Sequence, residues 1–192
     1  DPSNNHFLEE DAPLMGGQNF GMIPDLIALD MFCNTFFWRH PEIETVIRRP
    51  VHIVGRVDNA PSRFLRLEHP ITIMGFDPMI QLIHVEDVVT AIERALTPGV
   101  RGVYNVAGPS PSPLSLLLDR LDREPIALPE SVARGVLEAG WSLKISDWPV
   151  PEVDHIKYVC MVDDSLAREQ LGFSHDYSLE DILDEVRSMP LL

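Results

Sequence analysis

The chain holds 192 residues with a formal net charge of −15, and its apolar and charged fractions are those of an ordinary globular protein with room for one domain and a small lobe. A surface that acidic, with Lys144 and Lys157 as its only lysines, repels phosphate backbones and anionic lipid, so nucleic acid and membrane are poor partners. No apolar run spans a bilayer, the opening DPSNNHFLEED does not read as a signal peptide, and Cys33 and Cys160 suit neither a disulfide framework nor a metal knuckle; the default location is cytoplasmic.

The first two dozen residues read as loop, punctuated by Pro2, Pro13, Gly16, Gly17 and Gly21. Pro24 and Asp25 suit the first turn of a helix that runs to about His40; being apolar on nearly every side, it is expected to be buried. ETVIRRPVHIVG follows as an interior strand, with Pro50 where a strand bends or ends. After an irregular segment, PITIMG and IQLIHV form two short strands around the turn GFDP. VEDVVTAIERAL then shows a helical stripe at Val88, Val89, Ile92, Ala95 and Leu96, with Glu86 and Asp87 at its start. GVYNVAG is a strand, LSLLLDRL a helix, and another helix is expected near 130–140 before a proline-rich loop. KYVCMV reads as a strand, Asp163 or Asp164 caps SLAREQLG, and SLEDILDEVRSM closes the chain with Ser178 and Asp181 at capping-box spacing. Alternation of strands with amphipathic helices indicates an α/β protein.

Four stretches, VIRRPVHIVG (46–55), PITIMGFDPMIQLIHVEDVVTAIERAL (70–96), GVYNVAG (102–108) and DDSLAREQLGFSHDYSLEDIL (163–183), carry a resemblance. In order and spacing the chain resembles the C-terminal half of the extended short-chain dehydrogenases/reductases, the NAD-dependent epimerase/dehydratase family typified by sugar-nucleotide epimerases. The resemblance implies an α/β fold, the C-terminal part of an NAD(P)-binding Rossmann-like fold with a small substrate lobe. It places the end of the Rossmann-like domain at 1–56, a mostly substrate-binding lobe at 57–162 from which helix and strand 85–108 return to the sheet, and a helical segment at 163–192. The family's glycine-rich strand-turn-helix, which seats the cofactor pyrophosphate, is absent from these residues. A fragment of a longer or split protein is therefore expected, with NAD or NADP implied by the resemblance alone.

Family members place a Tyr-x-x-x-Lys pair on the helix before the RP strand. Residues four apart share a helical face, so the lysine lowers the tyrosine pKa and holds the ribose while the phenol exchanges a proton with the substrate. Aligned backward from VIRRPVHIVG, Met22 stands at the tyrosine and Leu26 at the lysine, and whatever the register there is no tyrosine before Tyr104 and no lysine before Lys144. The two arginines that grip the substrate diphosphate in many epimerases fall on Ile80, beside Gln81, and near Val153, with Arg63 and Arg66 as the nearest replacements. The implied cofactor-facing residues are Pro50, Val51 and His52; the implied substrate-facing residues are His52, Asn59, Arg63 and Gln81. His52 is either a ligand contact in place of the family's asparagine or a histidine at the core edge. His84 is expected to tie its strand to the next helix, Asp87 to serve helix-start electrostatics, and Trp141 and Trp148 to anchor or gate a loop. His6, His40, His69, His155 and His175 show no metal-ligand spacing, so no metal is expected.

Three functional readings follow. The chain is a catalytically degenerate family member kept for ligand or partner binding; or an active epimerase, dehydratase or reductase whose cofactor half and acid/base lie outside this segment; or one subunit of a split protein, docked through helix 25–39 as a homo- or hetero-oligomer.

Overall fold

The computed structural model describes residues 7–13, 24–142, 157, 159 and 161–192. Helix α1 (Pro24–Arg39) starts on the proline that needs no N–H partner in a first turn, with Asp25 at its positive end. Its apolar side chains are not buried, contrary to expectation: Leu26, Leu29, Met31, Phe32 and Trp38 are exposed, Trp38 by 75%. Among the described residues α1 packs chiefly on strand β1 (Val46–Pro50), which covers one side of a helix that is apolar on several.

The stretch expected as one strand is two. β1 runs parallel to β6 (Gly102–Val106) and ends at Pro50; β2 (His52–Val54) runs parallel to β5 (Leu82–His84). Val51 is the joint, donating its N–H to the Val106 carbonyl at 3.0 Å as the last rung on the β6 side. The two pairs meet where Gly108 presses on β5: a Cβ there would lie 2.4 Å from the Leu82 carbonyl oxygen, so only glycine fits.

Helix α2 (Ala60–Arg66) and strand β3 (Ile71–Ile73) follow. The expected strand IQLIHV is interrupted at Gln81, giving β4 (Met79–Ile80) before β5. Helix α3 (Val85–Ala95) leads back to β6; β7 (Ser112–Pro113) pairs antiparallel with β4, and α4 (Leu114–Arg120) follows directly. Strand β8 (Ile126–Leu128), which propensity did not reveal, runs parallel to β3 and precedes α5 (Glu130–Ser142). Of the expected strand KYVCMV, the described part contributes a single parallel bridge between Val162 and Leu8. Residues Ala167–Leu171 form a π-helical turn closed by Gly172 at φ 62°, and α6 (Leu179–Ser188) carries the reciprocal Ser178–Asp181 capping box.

β5 is the wall between two apolar clusters. Leu82 packs with α4, α5, α6 and β3 residues such as Leu117, Leu118, Ile73 and Ile182; its neighbour Ile83, on the opposite face, packs with Ala91, Tyr104, Val106 and Phe173. The α3 stripe is only partly engaged. Asp87 and Ala91 are the buried positions, whereas Val89, Ile92 and Leu96 are exposed. Among the described residues no helix is long and apolar enough to cross a membrane.

Candidate functional site

In parallel α/β sheets ligands meet the carboxyl ends of the strands, which here means the turn from β1 into β2 and the loops after β5 and β6. Each implied site residue can be followed to its place. Met22 and Val153 lie outside the described residues, as does Trp148; Trp141 falls on α5. Leu26 sits in the opening turns of α1 with its alkyl chain 65% exposed. Pro50 ends β1, Val51 spends its N–H on Val106, and His52 opens β2 opposite Leu82, half-buried. These three remain together at the strand ends.

The polar residues implied to face substrate are committed within the protein. Asn59 caps α2: its Oδ1 accepts from Ser62 N at 2.9 Å and its Nδ2 donates to the Ile53 carbonyl at 2.9 Å. Arg63 makes a bidentate pair with Asp58, from Nε at 2.6 Å and from its second nitrogen at 2.9 Å. Gln81 is 4% exposed and behaves as a piece of backbone. Its Oε1 accepts from Val162 N at 2.7 Å and its Nε2 donates to the Val162 carbonyl at 3.1 Å. Arg66 donates from Nε to the Pro190 carbonyl at 3.0 Å, and Ile80 packs against the larger cluster. Sequence reasoning finds such residues by polarity and position, and polarity alone does not separate a ligand contact from a backbone tie.

His84 does join strand to helix. Its Nδ1 accepts from Glu86 N at 3.2 Å as the α3 cap, its Nε2 lies 2.6 Å from a Glu185 carboxylate oxygen, and its ring stacks on Tyr177 at 3.7 Å between centroids. With Nδ1 accepting, Nε2 is the protonated nitrogen that donates to Glu185. Glu185 is shared with Arg56, whose Nε is 3.3 Å away. Asp87 is 1% exposed; Oδ1 accepts from Asp176 N at 2.8 Å, whereas Oδ2 has no partner among the described residues. Among the described residues no three His, Cys, Asp or Glu side chains come within reach of one metal ion.

Two neighbouring arginines that sequence reasoning passed over have opposite surroundings, because successive strand side chains point to opposite faces. Arg49 faces α1. Its Nε and one terminal nitrogen each donate to the Asp30 carboxylate at 2.7 Å, and its other terminal nitrogen donates to the Glu10 carbonyl at 2.8 Å. Arg48 faces α3, half-buried in a groove of about 210 Å³ with Pro50, Val88, Ala91, Ile92 and Val106. It has no hydrogen-bond or ion-pair partner among the described residues, and burial pulls its guanidinium below the usual arginine value. The doublet in VIRRPV was the available signal: two adjacent cations on an interior strand cannot share a face.

Tyr104 is enclosed. It is 2% exposed, its hydroxyl donates to Gln170 Oε1 at 3.0 Å, and burial, with the nearby Glu10 charge, pushes its pKa up. Lys157 is held by Glu130 at 2.8 Å.

No family model matches the chain. An uncharacterized protein of Mycobacterium tuberculosis (strain ATCC 25618 / H37Rv) is 24% identical over 166 residues, 86% of this chain but 44% of that protein. Among solved structures, a dTDP-glucose 4,6-dehydratase from Bacillus anthracis in complex with NAD aligns with a TM-score of 0.67 at 15% identity, over 96% of this chain and 55% of that one. DesIV, a dTDP-glucose 4,6-dehydratase from Streptomyces venezuelae with NAD and TYD bound, gives 0.65 at 17% identity, over 96% and 54%. A UDP-glucose 4-epimerase from Thermotoga maritima gives 0.59 at 19% identity, over 84% and 50%. At these identities the likeness is one of fold. The chain has the Rossmann-like α/β fold of the C-terminal half of extended short-chain dehydrogenases/reductases, and it spans about half the length of the proteins it matches.

Proposed function

We propose that this chain is the C-terminal half of an epimerase/dehydratase-type fold that binds a nucleotide-sugar-like ligand or a protein partner without the tyrosine–lysine proton relay of its active counterparts. The observation that carries the reading is α1 itself. The helix that precedes the RRP strand is present, and its sequence PDLIALDMFCNTFFWR holds neither tyrosine nor lysine in any register. Leu26 offers no polar atom to a ribose hydroxyl, and Tyr104 is buried with its hydroxyl bonded to Gln170. The described residues thus do not supply the usual hold on a nicotinamide dinucleotide. Pro50, Val51 and His52 would meet any cofactor with a ring, a committed N–H and an imidazole.

Partner binding has its own support. Leu26, Leu29, Met31, Phe32 and Trp38 leave α1 with exposed apolar side chains on more than one side. These are the side chains through which the chain would assemble, with itself or with a second subunit.

Native mass spectrometry of the purified protein titrated with UDP-glucose, dTDP-glucose, NAD and NADP tests the reading. Retention of a nucleotide sugar, or a stoichiometric oligomer that dissociates when Phe32 and Trp38 are changed to Ser, is expected. A monomer that holds none of the four would overturn it.

A further inference from the structure

His84 ends β5, the strand that divides the two apolar clusters, and its imidazole touches one helix from each. α6 gives Ile182, Leu183 and Val186 to the larger cluster, and α3 gives Ala91 to the smaller. The ring is 2% exposed as a residue and closely walled. Tyr177 stacks on it with 20° between the planes, and a Cβ built on Gly55, at the end of β2, would lie 3.1 Å from Nε2.

Each ring nitrogen has one task. Nδ1 needs its lone pair, to accept from Glu86 N at 3.2 Å and cap α3; Nε2 needs its proton, to donate to Glu185 of α6 at 2.6 Å. Only the neutral ring with its proton on Nε2 performs both. A second proton can go nowhere but Nδ1, where it would stand against the Glu86 N–H. The α3 cap is then lost, whereas the bond to Glu185 joins two charges and strengthens.

The groups on the elements around the ring bring that proton within reach. α6 supplies the carboxylates Glu185 and Asp181, and α3 supplies Glu86 and the buried Asp87. The end of β2 supplies one cation, Arg56, which is largely exposed and shares Glu185 at 3.3 Å; the segment before α6 supplies the neutral Tyr177. Four acids against one solvated cation favour the imidazolium, and burial with the Glu86 N–H opposes it.

We propose that His84 is a proton-operated latch between α3 and α6. Neutral, it caps α3 and donates to Glu185. Protonated from solvent at Nδ1, it lets go of the first turn of α3 and is held more firmly by α6. The loop side of β5 lies at the carboxyl ends of the strands, so acidification loosens that rim of the candidate site while both apolar clusters stay folded. The latch depends on the fold and holds whether or not the protein catalyses.

The test follows the His84 ring nitrogens and the Glu86 amide by NMR of the full chain between about pH 8 and about pH 5, a range that spans the ordinary histidine value. His84→Asn assigns the ring signals. The expected start is a neutral ring with its proton on Nε2. As the ring titrates to the imidazolium, protection of the Glu86 amide against exchange, corrected for its intrinsic rate, should fall roughly fivefold, the worth of one helix cap. The Ile182 and Phe173 amides, bonded to Ser178 and Ala167 carbonyls within the two clusters, should stay protected. Glu185→Gln keeps an acceptor for Nε2 and removes its charge, and should move the ring titration down by about one pH unit. A ring that is cationic at the alkaline end, carries its proton on Nδ1 or stays neutral throughout would overturn the proposal. So would unchanged Glu86 protection across the titration, loss of protection at Ile182 or Phe173 in the same step, or an unmoved midpoint in Glu185→Gln.

Discussion

Gln81 separates a ligand contact from a structural tie, and Gln81→Met tests which it is. Methionine keeps the length and apolar volume of glutamine while removing both polar atoms. The structure gives the amide two bonds to one residue, 2.7 Å from Val162 N and 3.1 Å to the Val162 carbonyl, with Gln81 only 4% exposed. Stranding a buried donor or acceptor costs about 1–3 kcal/mol each. Val162 is half-buried, so water recovers part of that loss, and the expected destabilisation is about 2 kcal/mol. Urea unfolding followed by circular dichroism reads this as a lower midpoint at unchanged slope. Exchange of the Val162 amide should speed up in parallel, while nucleotide-sugar affinity stays within a factor of about two of the unaltered protein. Stability within about 0.5 kcal/mol of the unaltered protein, with affinity lost, would return Gln81 to the ligand site.

Gly108→Ala should destabilise by about 3 kcal/mol, because its Cβ would meet the Leu82 carbonyl and the Ile83 Cα, backbone atoms that cannot swing away; thermal unfolding reports it. Ser178→Ala removes the α6 cap and should cost about 1 kcal/mol by denaturant unfolding. The Ser178 hydroxyl and N–H hold the Asp181 carboxyl below the usual aspartate value. A carboxyl depressed on folding stabilises the protein above its unfolded pKa of about 4, and that contribution is lost as pH falls through the lower folded value. Asp181→Asn should therefore differ from the unaltered protein at neutral pH and converge with it on acidification, in a midpoint-against-pH series.

What the sequence made legible follows from local physics. α1 begins at Pro24, the capping box closes on Ser178 and Asp181, and β1 ends at Pro50, each fixed by a residue whose backbone or side-chain bonding is decided within a turn. What was hidden depends on partners far along the chain. The change of partner at Val51, from β6 to β5, leaves no trace in a β-branched run, and β8 forms because β3 offers it an edge. The apolar stripe of α3 and the apolar girth of α1 were read as buried because composition reports what a helix can bury and not what is there to cover it. In the site, Met22 lies outside the described residues and Leu26 lies exposed in the opening turns of α1, while Asn59, Arg63 and Gln81 are bonded to their own surroundings. The doublet at Arg48 and Arg49 signals one cation on each side of the strand, but which of the two is paired is decided by the fold.

A fold that lacks the tyrosine–lysine pair and is kept for binding would hold its ligand without turning it over. The direct measurement is turnover by the protein purified with whatever polypeptide accompanies it, assayed with UDP-glucose and dTDP-glucose in the presence of NAD or NADP, with sugar products separated by chromatography. Bound nucleotide sugar is expected to be returned unchanged. Epimerised, dehydrated or reduced sugar formed catalytically, and above all formation that stops when His52 is changed to Ala, would contradict it.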